Sequence, residues 1–392
     1  MKHTFAALLV ALCLFSLTSC ALSPAPAASS SGTSSGSSSS GADSSSGSSA
    51  QPAPSIPTDE ERAESLVSSL TPEEKVGQLF FARCPQQDAV KDVGAYQLGG
   101  YLLFGRDFDQ KTADAVIQTI ASYQQAAKIP LLIGTDEEGG TVVRVSSDPH
   151  LRASKFSSPQ KLYQKGGMDA ILADTAEKDR LLHALGINVN LAPVSDVSTD
   201  SGDFIYARSF GKDAAATADY IGAVVTQMNE DGMGSVLKHF PGYGNNVDTH
   251  TGIAVDERPL ETFLSSDFLP FQAGIDAGSG AVLVSHNIMT SVDHTLPASL
   301  SPAVHQLLRD KLGFNGVVMT DDLAMDAVAQ YAKDGSAAVL AVLAGNDLLI
   351  SSDYQTQIPQ VLAALQDGTI DETIIDAAVT HVLLWKIQLG LL

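Results

Sequence analysis

The chain has 392 residues, 44% of them hydrophobic, and a formal net charge of −22 from 45 acidic against 23 basic residues. That balance argues against a nucleic-acid partner, which needs a concentrated basic surface, and points instead to an uncharged or weakly charged ligand. Of the cysteines Cys13, Cys20 and Cys84, only Cys84 falls in the part expected to fold, so no disulfide is expected within it.

Lys2 and His3 precede an apolar run from Phe5 to Leu17, which leads into Leu17-Thr18-Ser19-Cys20. A cationic start, a short apolar core and small residues before a cysteine are the parts of an export signal. The run is too short for a bilayer span, which takes roughly 20 residues. It resembles the lipobox of bacterial lipoproteins. That resemblance implies a signal peptide over residues 1–20, lipidation of Cys20 and tethering to the outer face of the cell membrane through the lipid alone. Residues 21–57 are almost all Ser, Gly, Ala and Pro and have nothing to bury, so they read as a disordered linker. At random-coil scaling its reach is roughly 35 Å.

From residue 58 to residue 392 the composition is that of a globular domain, and short β-rich runs alternate with stretches of helical spacing. The runs are Leu79 to Ala82, Gly100 to Phe104, Leu131 to Asp136, Val189 to Pro193, Ser235 to Phe240, Ala281 to His286, Val317 to Asp322 and Asp347 to Ser352. Strands alternating with helices imply a parallel sheet, and eight repeats imply one closed (β/α)8 TIM-type barrel, an α/β fold.

The ends of these runs carry the chemistry. The third ends in Thr135-Asp136-Glu137-Glu138-Gly139-Gly140, the fifth in Lys238-His239, the sixth in Ser285-His286-Asn287 and the seventh in Thr320-Asp321-Asp322. In a barrel these C-terminal ends meet on one face, where active sites are built.

Those motifs, with Arg144, Ala207-Arg208-Ser209-Phe210, Lys238 to Gly244, Asp248-Thr249-His250 and Asp321 to Met325, resemble glycoside hydrolase family 3. Within the family they are similar to β-N-acetylhexosaminidases of the muropeptide-processing type. The resemblance covers nearly all of residues 60–392. It implies that Asp321 is the nucleophile of a retaining, two-step hydrolysis through a covalent glycosyl-enzyme, while Asp322 is expected to serve structure as a cap. It implies that His250 donates and then accepts the catalytic proton, a role suited to a side chain titrating near neutrality. Asp248, two residues earlier, could hold one ring nitrogen of His250 and fix its tautomer. Many larger relatives take their acid from a second domain, and with the chain ending at Leu392 the barrel itself is expected to supply it. Asp136 resembles the family's acceptor for sugar hydroxyls, and Arg144, Arg208, Lys238 and His239 resemble its donors.

Two positions depart from the family pattern. Thr141 stands where an arginine commonly follows the paired glycines, and Tyr243 stands where a histidine is frequent. His286 is open between packing and ligand contact, Cys84 reads as a buried small hydrophobe, and Trp385 reads as core. No His-x-x-x-His or Cys-x-x-Cys spacing occurs, so neither a metal nor another cofactor is expected. The activity implied is removal of terminal GlcNAc from muropeptide, cell-wall or chitin-type oligosaccharides by a monomeric enzyme. The alternatives are another family 3 β-glycosidase (a β-glucosidase or xylosidase), a substrate-assisted mechanism using Asp136 with Glu137 or Glu138, and a lipoprotein that binds sugar without turnover.

Overall fold

The apolar runs form parallel strands in the order in which they occur: β1 Phe80–Arg83, β2 Gly100–Leu103, β3 Leu132–Thr135, β4 Val189–Asn190, β5 Gly234–Phe240, β6 Ala281–Val284, β7 Val317–Thr320 and β8 Leu349–Ser351. The computed structural model describes residues 57–246, 252, 254–329, 331 and 336–392. The signal segment with Cys20, the linker up to residue 56, Asp248 and His250 lie outside the described residues.

The eight strands make one sheet in the order β8-β1-β2-β3-β4-β5-β6-β7. A parallel bridge between Met319 and Leu348 brings its two edges together and closes the barrel. The expected runs overshoot the strands at their C-terminal ends. Asp136, His286 and Asp322 lie beyond the last ladder residue of β3, β6 and β7, because their side chains turn to partners in the loops.

Two apolar layers hold the barrel. Inside, Phe81, Leu132, Leu191, Val236, Leu283 and Met319 point at one another, as strands buried on both faces require. Outside, the helices pack against Phe80, Ile133, Leu237, Val282 and Val318. Trp385, 3% exposed, belongs to the inner layer, and a Cβ on Gly280 would stand 2.0 Å from its indole nitrogen. Its ring therefore plugs the barrel at the N-terminal ends of β5 and β6, opposite the face where the polar strand ends gather. Cys84 is buried as expected, its thiol pushed up to about 11 chiefly by burial.

Local signals set the helix ends. Thr58 and Glu61 form a capping box that opens Asp59–Ser68, and Asp213 caps Ala214–Asp231 at 2.9 Å. That second helix stops at Gly232 with a φ of 76°. A short parallel ribbon, Val255–Asp256 against Ile288–Met289, lies outside the barrel sheet.

Candidate active site

An irregularity in β5 shapes the site. Its ladder with β6 pairs Leu237 with Val282 and then Phe240 with Val284, which leaves one extra residue on β5. A bulge of this kind re-aims side chains at a barrel rim, and Lys238 and His239 occupy it. The peptide bond between them is cis.

Lys238 is 2% exposed, and its ammonium lies 2.8 Å from Asp136 and 2.6 Å from Glu138. Arg208 grips Glu138 with two bonds of 3.0 and 2.8 Å, and Arg144 reaches Asp136 at 3.3 Å. The two carboxylates thus each bridge a pair of cations. Burial works against charge on Glu138, but Arg208 and Lys238 outweigh it and hold the carboxyl well below the usual range.

The loop after β3 depends on its neighbours in sequence. Gly139 has a φ of 96°, and a Cβ there would stand 2.3 Å from the Ser157 carbonyl oxygen, so the turn demands glycine. Glu137 is fully buried and accepts the N–H groups of Arg144 and Val145 at 2.8 and 2.7 Å, together with the Ser146 hydroxyl. It folds the loop that delivers Arg144.

His239 is fixed by a carboxylate absent from the sequence expectations. Asp196, 1% exposed, lies 2.7 Å from His239 Nδ1 and accepts the Tyr243 N–H at 2.7 Å through its other oxygen. Arg208 carries only donors and approaches His239 Nε2 at 3.0 Å. Nε2 therefore accepts, and the ring proton sits on Nδ1, donated to Asp196. Tyr243 is buried edge-on against the His239 ring at 5.0 Å, while Thr141 is exposed.

Beyond β7, Asp321 and Asp322 diverge. Asp322 accepts the N–H groups of Ala324 and Ser352, each at 3.0 Å, and the Ser352 hydroxyl, so it ties the β7 loop to the β8 loop. Asp321 accepts the Asp322 N–H at 2.8 Å and faces the barrel mouth. His286 is fully buried beneath this turn, with Nε2 donating to the Asp322 carbonyl at 3.0 Å and Nδ1 at 2.7 Å from the Ser299 hydroxyl.

A cavity of about 450 Å³ opens at this end of the barrel, and Asp136, Arg144, Arg208, Lys238, His239 and Asp321 all line it. The fold thus brings to one wall residues that span 186 positions of sequence, from Asp136 to Asp321. Below the loop that leads toward Asp248 and His250, Arg258 binds Asp256 at 2.8 Å, Asp267 at 3.1 Å and the Gly242 carbonyl at 3.3 Å. Asn246 adds a bond to Asp256 at 2.6 Å, so the near end of that loop is anchored over β5. Among the described residues no group of His, Cys, Asp and Glu has the arrangement of a metal site.

The profile described as "Glycosyl hydrolase family 3 N terminal domain" matches residues 71–384, well over half of the chain. The chain belongs to glycoside hydrolase family 3. Beta-hexosaminidase LpqI of Mycobacterium tuberculosis is 32% identical over 330 residues, covering 81% of this chain and 83% of that one. A beta-hexosaminidase of Xanthomonas campestris pv. campestris is 35% identical over 237 residues, 59% of this chain and 70% of the relative. Among solved structures of the family, a β-N-acetylglucosaminidase from Paenibacillus superposes with a TM-score of 0.76 at 32% identity, over 82% of this chain. This chain spans 63% of that enzyme's length. The structure of M. tuberculosis LpqI gives a TM-score of 0.74 at 28% identity, over 82% of this chain and 95% of that one.

Proposed function

We propose that the protein is an exported, lipid-anchored β-N-acetylglucosaminidase that removes terminal GlcNAc from muropeptide or chitin-type oligosaccharides with retention of configuration. The observation that carries this reading is the shared wall of one cavity: Asp321 faces the same space as the Lys238–Asp136–Arg144 cluster. Charged groups fixed by one another are suited to a hydroxyl-rich ring, and a carboxylate on an adjacent strand end is suited to its anomeric carbon. Relatives named beta-hexosaminidase and a structural neighbour named β-N-acetylglucosaminidase support the choice of sugar.

In the first step a carboxylate oxygen of Asp321 bonds to the anomeric carbon as the bond to the leaving oxygen breaks, and His250 gives that oxygen a proton. In the second, water attacks the same carbon, its proton goes to His250, and the bond to Asp321 breaks. Asp248 orients the His250 ring in both steps. Asp136, Arg144, Arg208, Lys238 and His239 hold the sugar.

The substrate-assisted route gains no support from the neighbouring glutamates, since Glu137 is taken up by main-chain N–H groups and Glu138 by Arg208 and Lys238. Hydrolysis of aryl GlcNAc set beside the matching aryl glucoside tests the proposal. Faster turnover of the GlcNAc compound, lost in His250→Ala, is expected; preference for the glucoside sinks the assignment. Sugar binding without turnover in wild type favours a receptor instead.

A further inference from the structure

Arg83 closes β1 and lines the active-site cavity, yet it has no part in the sugar-holding cluster. The other cations on that wall are matched, Lys238 and Arg208 by Glu138, and Arg144 by Asp136. Among the described residues Arg83 makes no ion pair and no hydrogen bond, and its Nε is buried without an acceptor. Packing fixes it in place. The guanidinium carbon lies 4.4 Å from the centre of the Phe104 ring, and Arg144 packs on the same ring at 5.4 Å. Asp107 feels the Arg83 charge, but its carboxylate accepts the Phe104 N–H at 2.8 Å and lies 4.0 Å from Arg106.

A buried donor left unpaired costs about 1–3 kcal/mol, and a guanidinium held flat on an aromatic ring is a preorganised fork for a planar oxyanion. In a protein of net charge −22, such an uncompensated cation at the mouth of a sugar cavity is a specific attraction for an acid. We propose that Arg83, seated on Phe104, recognises a carboxylate carried by the substrate. The preferred substrate is then a GlcNAc-terminated oligosaccharide with an acid-bearing neighbouring sugar, ahead of neutral chitin fragments. This rests on the glycosidase reading above and narrows it.

Two disaccharides with the same terminal GlcNAc test it, one ending in N-acetylmuramic acid, which carries a lactyl carboxylate, and the other chitobiose. Wild type should favour the acid, and Arg83→Gln should lower the ratio of the two kcat/KM values by roughly ten- to hundred-fold, the effect of one charged hydrogen bond. Arg83→Lys should recover part of the ratio. An unchanged ratio overturns the proposal. So does a stimulation of aryl-GlcNAc turnover by inorganic phosphate that Arg83→Gln abolishes, because the anion is then the acceptor. If wild type turns over no GlcNAc substrate at all, the glycosidase reading falls, and calorimetric binding of the two disaccharides still decides Arg83. Equal affinity of wild type for both rules it out.

Discussion

His286 donates from Nε2 to the main-chain carbonyl of Asp322 at 3.0 Å, so a fully buried histidine after β6 supports the turn that carries Asp321. The carbonyl can only accept, which places the ring proton on Nε2 and leaves Nδ1 to accept from Ser299. The neutral ring thus locks two loops together. His286→Ala should lower kcat on aryl GlcNAc about ten-fold or more with KM within about three-fold, since the nucleophile is aimed less well while the sugar clamp stays intact. A rise in KM with kcat unchanged contradicts this.

Glu138 concerns stability as much as binding. Removing its carboxylate leaves Arg208 and Lys238 buried around a missing partner, and breaking one side of a buried ion pair costs about 3–5 kcal/mol. Urea unfolding of Glu138→Ala should show a loss of that order. A loss under about 1 kcal/mol means solvent reaches the cluster easily and the network is weaker than its geometry implies.

Asp196 positions His239 rather than touching substrate. Asp196→Asn removes one of its two acceptor oxygens, either from the His239 ring or from the Tyr243 N–H. A fall in kcat/KM of about ten- to hundred-fold is expected. The pH profile should change along with it, because the proton on Nδ1 loses its carboxylate. An unaltered profile with a uniform loss of folded protein marks the role as purely structural.

Lys386 gives a signed pH effect away from the site. Burial lowers its ammonium from an ordinary 10.5 to about 7, and its one bond runs to Gln78 at 2.7 Å. Between these values the unfolded chain binds the proton that the folded chain sheds, so stability rises with pH across the window. Below pH 7 the folded protein carries the buried charge at full cost. Denaturant unfolding of Lys386→Met at pH 7 and pH 10 should show the variant gaining on wild type at the lower pH and losing that advantage at the higher. A pH-independent difference contradicts the assignment.

The barrel was legible because strands buried on both faces must be apolar throughout and must end where the chain meets solvent. The run Val317 to Asp322 shows both halves of that rule: its apolar part is β7, and its last two residues have already left the ladder. The cluster around Asp136 and Lys238 was legible because both stand at strand ends. Asp196 was not, since it pairs with a histidine 43 residues away and sits in a loop without periodicity. The division between Glu137 and Glu138 was also hidden. Adjacent identical side chains point to different neighbours, one to main-chain N–H groups and the other to cations, and only the path of the loop decides which is which. Arg83 escaped notice because its meaning lies in lacking a partner, a property of three-dimensional surroundings.

The central claim is that Asp321 forms a covalent bond to the sugar. The direct measurement is mass spectrometry of a peptide digest after reaction with a 2-deoxy-2-fluoro glycosyl donor, which slows release of the intermediate. The account expects the added sugar mass on the peptide containing Asp321, with fragmentation placing it on that residue and no label in Asp321→Asn. Label on Asp136, Glu137 or Glu138, or turnover of aryl GlcNAc with no trapped adduct at all, contradicts it.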